Sequence, residues 1–186
     1  MGYIKSNPIK IMKSKVIILT ALLMAAGAGR TFAAAPAAAK PASRVSVVFV
    51  EPQKFSDVKR DSWHDYSQDL LDQLQTFMQA TGERVVPAGL HLAIKVTDVD
   101  LAGEFEPQLG PRFEDVRMVR AIYPPHIKLA FSLTDAKGTV LSAGERDVTD
   151  LAFQMRTAWP TDDYLRYEKA ILRDWFSSEF GRVAKN

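Results

Sequence analysis

Between Gly89 and Leu101 the chain reads GLHLAIKVTDVDL, and the alternation in this stretch limits what the chain can fold into. Leu90, Leu92, Ile94 and Val96 share one face of an extended segment, while His91, Ala93, Lys95 and Thr97 share the other. A period of two residues does not suit a helix, so the segment reads as a strand with one buried face and one wetter face. The alternation then fails. By strict continuation Asp98 and Asp100 fall on the apolar face, and with Glu104 and Glu106 they put four carboxylates within nine positions. Two carboxylates do not enter a core unpaired. The strand therefore ends or bulges near Thr97, or the acids lie at the sheet margin within reach of a partner. Arg117, Arg120 and Arg146 are the candidate partners, with the VRMVR segment expected alongside. A salt-bridged margin tied to the loop after the strand is the plain reading of Asp98, Asp100 and Glu104. A functional carboxylate site with an arginine is the alternative.

The other elements fall around this strand. RVSVVFVEP, residues 44–52, is apolar on both faces and predicts a central, covered strand that Pro52 ends. In residues 61–82 Trp63, Tyr66, Leu70, Leu74, Phe77 and Met78 recur at helical spacing, with Asp61 or Ser62 as the expected cap and Gly82 as the expected stop. HIKLAFSLTD, residues 126–135, turns Ile127, Leu129, Phe131 and Leu133 inward. DAKG, Asp135 to Gly138, is a hairpin connection into the return strand TVLSAGERDVTD. VRMVRAIY, before Pro124 and Pro125, is a further strand or the start of the next one. The segment 161–181 is a closing helix, with Thr161 as cap and Asp162 and Asp163 at its positive end. These elements define an α+β, two-layer domain. Its mixed, mostly antiparallel sheet has four to five strands and carries two amphipathic helices on one face.

The N-terminus is a different kind of sequence. Residues 1–33 carry Lys5, Lys10, Lys13, Lys15 and Arg30, no acid, and the apolar run VIILTALLMAAGA followed by small residues. That order describes a secretory signal peptide, with cleavage expected after Ala33 and either Met1 or Met12 as the start. The run is short for a membrane span, so no stable span is expected after cleavage. An uncleaved anchor is the alternative. Residues 34–44 are an Ala/Pro-rich tether, and 45–183 form one domain. Five of the 24 basic residues and none of the 22 acids precede Ala34, leaving 19 against 22, a net −3. That balance removes the electrostatic case for nucleic-acid binding. The chain has no cysteine, so it forms no disulfide and carries no cysteine-linked lipid.

Chemistry-bearing motifs are few. His64, His91 and His126 stand singly, and no metal set or other cofactor is expected; His91 and His126 could be cross-strand neighbours on the wetter face. The acidic stretch lacks the glycine and distal glutamate of a calcium loop. No nucleophile elbow or phosphate-cradling glycine loop is present outside the signal segment. Trp63, Trp159, Trp175 and Tyr167 suit either a ligand groove or, more ordinarily, the core.

Three stretches carry a resemblance: TDVDLAGEFEP, the run from Val116 to Asp150, and YEKAILRDWFSSEF. Together they resemble an exported, mainly proteobacterial family of uncharacterised proteins, the domain of unknown function 3016 family, over Val45 to Arg182. The resemblance implies a periplasmic setting and supplies no catalytic residue. The functional expectation is a soluble periplasmic binding or accessory module that engages an envelope protein or small ligand. The alternative is a hydrolase using Asp98, Asp100 and Glu104 with Arg117 or Arg120.

Overall fold

The computed structural model describes residues 43–61, 66–156 and 162–181. The expected signal peptide, nearly all of the tether, Trp63, His64, Trp159 and the Thr161 cap lie outside these residues.

The main sheet has four strands, β1 (Val45–Phe49), β2 (His91–Asp100), β5 (His126–Thr134) and β6 (Val140–Thr149), in the order β1-β2-β5-β6. β1 runs parallel to β2, and the other pairs are antiparallel. β3 (Glu104–Phe105) and β4 (Arg117–Met118) pair as a separate ribbon. Two helices, α1 (Gln68–Val85) and α2 (Arg166–Phe180), cover one face of the sheet. The domain is thus α+β and two-layered, with the parallel pair bridged by a helical crossover and the remainder a meander.

Burial follows the sequence pattern closely in the centre of the sheet. Leu92, Ile94 and Val96 of β2 and Ile127, Leu129, Phe131 and Leu133 of β5 face the helices. They meet Leu70, Leu71, Leu74 and Met78 of α1 and Ile171, Leu172, Trp175, Phe176 and Phe180 of α2 in one cluster. Phe131, Trp175 and Phe180 pack edge to face with ring centroids 5.6–5.9 Å apart. The hairpin after β5 is as expected: Gly138 takes φ 84°, and Asp135 Oδ1 accepts the amides of Lys137 and Thr139.

Three expectations need correction, the smallest being the closing helix, which begins at Arg166, so that Asp162 and Asp163 precede it. β1 is an edge strand, not a central one. Val45 and Val47 enter the core, but Val48 is 54% exposed. Apolar residues on both faces do not prove coverage on both, because single exposed valines cost little and β-branched chains suit an edge equally well. The free side of β1 is partly occupied by α1, whose Gln75 Nε2 donates to the Val47 carbonyl at 2.9 Å. The first helix also begins later than expected, after Ser67, and runs past Gly82 to Val85. Gly82 is not a stop. A Cβ there would lie 2.9 Å from a Val45 methyl, so glycine lets α1 approach β1 closely.

The opposite face of the sheet is bare among the described residues. Ala93, Lys95, Thr97, Lys128, Glu145 and Asp147 are all exposed there.

Candidate functional site

The far end of β2 gathers the groups with chemical potential, and a bulge decides where they point. Val96 pairs with Leu129 and Asp98 with Lys128, so Thr97 has no residue opposite it. The extra residue resets the alternation: Val99 is fully buried, while Asp98 and Asp100 are half-buried. The expected interruption near Thr97 is therefore a bulge, and the strand continues to Asp100.

The partners differ from those expected. Asp98 accepts the Ser56 amide at 2.8 Å and the Ser56 hydroxyl at 2.9 Å, and Lys128 Nζ stands 3.7 Å away. It holds the connection between β1 and α1, not the loop after β2, and no arginine among the described residues pairs with it. Arg146 turns to the helix side, where it pairs with Glu179 of α2 at 2.9 Å and lies over the Phe131 ring. Arg120 pairs with the buried Glu106 at 2.8 Å. The Tyr123 hydroxyl also hydrogen-bonds Glu106, which raises the phenol's pKa.

Arg117 is the best-held cation of the described residues. Its side chain is 7% exposed. It donates to Asp57 Oδ2 at 2.6 Å, to the Gly103 carbonyl at 2.7 Å, to the Lys59 carbonyl at 2.9 Å and to the Tyr164 hydroxyl at 3.0 Å. Its guanidinium also lies 4.5 Å from the centre of the Phe105 ring. One side chain thereby ties the β3–β4 ribbon, the 57–59 segment and the approach to α2. Four of the guanidinium's five N–H groups are thereby engaged within the fold.

Asp100 and Glu104 do come together, with Tyr123 and His126, around a cleft of about 210 Å³. Asp100 lies opposite His126 on β5 and beside Asp57, which bridges to it from the other side. Burial, then the nearby charges of Asp57, Asp98 and Glu104, push the Asp100 carboxyl up to about 6, against a smaller opposing pull from His126. Near neutrality this carboxyl exchanges its proton readily. His126 itself is paired with Asp147 on β6. The two sheet histidines are not neighbours: His91 is paired with Thr134 and His126 with Asp100, at opposite ends of the β2–β5 ladder.

A second carboxyl is buried just beneath. Glu168, in the first turn of α2, is 1% exposed, and its Oε1 accepts the Ala102 amide at 2.7 Å. Burial raises it to about 7. Sequence reading passed over Asp57 and Glu168, and it named Glu106 only as one of the four clustered carboxylates. Glu168 alone left a trace, because it shares helical spacing with Leu165, Leu172 and Trp175 on the apolar stripe. Among the described residues no group of three or more His, Asp or Glu is arranged to hold a metal ion. Of the expected groove aromatics, Trp175 is core and Tyr167 stacks edge to face on Phe153.

Fold and site together define an α+β domain with one helix-covered sheet face, one bare face and an acidic cleft at a bulged strand end. Residues 43–178 match the model of the family described as protein of unknown function (DUF3016), and the chain belongs to that family. No curated protein matches it. A solved structure, a minor lipoprotein from Acinetobacter baumannii at 2.35 Å resolution, is similar at 12% identity and a TM-score of 0.22, over 77% of this chain and 94% of that one. Overlap that slight carries no argument about fold or role. No described helix is long and apolar enough to cross a membrane.

Proposed function

We propose that the chain is a soluble periplasmic protein, exported by a signal peptide over residues 1–33, whose domain is a non-catalytic binding or accessory module of the cell envelope. The carrying observation is the bare sheet face, where Lys95, Thr97, Lys128, Glu145 and Asp147 stand exposed on one side of the sheet beside Val48. An exposed, mixed-charge strand surface, with a hollow of about 320 Å³ between Thr97, Lys128 and Glu145, suits recognition of a partner's side chains. The engagement of Asp98, Arg117 and Arg120 by structural partners supports the same reading. A photo-crosslinking residue at Lys95, on the bare face, should capture an envelope protein in the native cell, and the same residue at Arg84 on α1 should not. Equal capture from both positions, or none from Lys95, would overturn the reading. Mass spectrometry of the periplasmic protein should find Ala34 at the N-terminus.

A second reading, a hydrolase, rests on the Asp100 cleft. Asp100 has the raised proton affinity of a general acid or base. Turnover of a carbohydrate, ester or peptide substrate that Asp100→Asn abolishes while leaving the fold intact would favour it.

A further inference from the structure

Glu168 sits where a charge is poorly accommodated. It is buried between α2 and the turn that follows β2. Oε1 takes the Ala102 amide, but Oε2 has no hydrogen-bond partner among the described residues. The two groups of opposite sign that face it are Arg117 from β4 and Arg166 from its own helix. Arg117 already directs four of its five N–H donors to Asp57, Gly103, Lys59 and Tyr164. Lys169, the next residue along, is held by Asp163 at 2.8 Å. Two residues either side of Ala102 stand Asp100, which ends β2, and Glu104, which opens β3, and both are acids that add no compensation. A buried anion without an ion-pair partner is costly, whereas the protonated acid is tolerated.

We infer that Glu168 is a proton-controlled latch: neutral, it holds the 101–103 turn against α2, and its ionisation opens that contact beneath the Asp100 cleft. Leu101 and Gly103, either side of the latched amide, both line the cleft. Opening would admit water to Oε2 and change the cleft floor without unfolding the sheet. The direction follows from linkage. The folded protein holds this proton up to about pH 7, whereas an ordinary glutamate releases it near 4.5. Stability from the latch is therefore complete below about 4.5 and falls as pH rises to about 7.

The full mature chain and its Glu168→Gln variant test this. Glutamine keeps the acceptor for Ala102 and cannot ionise. The wild-type melting temperature should fall between pH 4.5 and 7.5 more steeply than that of the variant. Exchange protection of the Ala102 amide, corrected for intrinsic rate, should drop at least threefold over the same range in the wild type and stay level in the variant. The amide of Ile94, in the centre of β2, should report no such drop. A ¹³C titration of the Glu168 carboxyl in the wild type is independent of whether the variant folds. A midpoint near that of free glutamate, or Ala102 protection unchanged across the midpoint, would overturn the latch.

Discussion

Arg117 and Arg146 make nearly the same contacts in opposite surroundings. Each projects from a strand, each pairs with a carboxylate and each lies over a phenylalanine ring, Phe105 or Phe131. Arg117 is buried with four protein acceptors around it, while Arg146 is 41% exposed, with Glu179 as its ion pair. The pair of contacts alone does not set the energy. Water does, because it restores the partner of a broken exposed pair and cannot reach that of a buried one. The comparison also separates the two halves of the acidic stretch. Glu104 sits in a ribbon that Arg117 locks, and Asp98 sits in a strand fixed by its own bulge.

The largest effect should come from Arg117→Ala, which strands Asp57 in a buried site and takes a donor from the Gly103 carbonyl, while Lys59 keeps the Tyr164 hydroxyl. Denaturant unfolding should show a loss of about 3–5 kcal/mol. A loss below about 1 kcal/mol would mean that the lock is decorative. Next is Gly103→Ala. Gly103 takes φ 87°, and a Cβ would sit 2.9 Å from the Met118 carbonyl, so the variant should lose about 1–3 kcal/mol. Asp98→Asn should cost about 1 kcal/mol, since the amide accepts less strongly from Ser56. Asp100→Asn should do the reverse at neutral pH. The Asp100 pKa is raised from 3.8 to about 6, so its charge costs stability as pH climbs through that window. The variant should melt higher than wild type at pH 7 and equal to it near pH 3.5. Arg146→Ala should be the smallest change, at most about 1 kcal/mol and smaller still in high salt.

The layer plan was legible because β5 and the first half of β2 alternate cleanly, and the stripes of α1 and α2 have helical period. The strand interruption at Thr97 was also legible, since acids continuing an apolar face demand one. The choice of partner was not. Arg117 finds Asp57 across 60 residues of chain, and Asp57 lies in an aperiodic segment, KFSDVKR, with nothing local to mark it. Which arginine meets which acid depends on how the ribbon folds back, and residue order does not state that. The misplacement of β1 has a different cause. Valine is compatible with both a covered and a bare sheet face, so the pattern at Ser46, Val48 and Val50 could not discriminate between them.

Thr97 lies beyond the sheet's bookkeeping of pairs, since its neighbours Val96 and Asp98 meet consecutive residues of β5. A chain lacking this one residue would keep every rung of the ladder and every inward-facing side chain. What it would lose is the local kink and the added twist that the unpaired residue brings. The position thus behaves as a silent insertion with respect to pairing. It acts instead as a bend, setting the direction in which the acidic tip of β2 leaves the sheet and hence where the cleft lies.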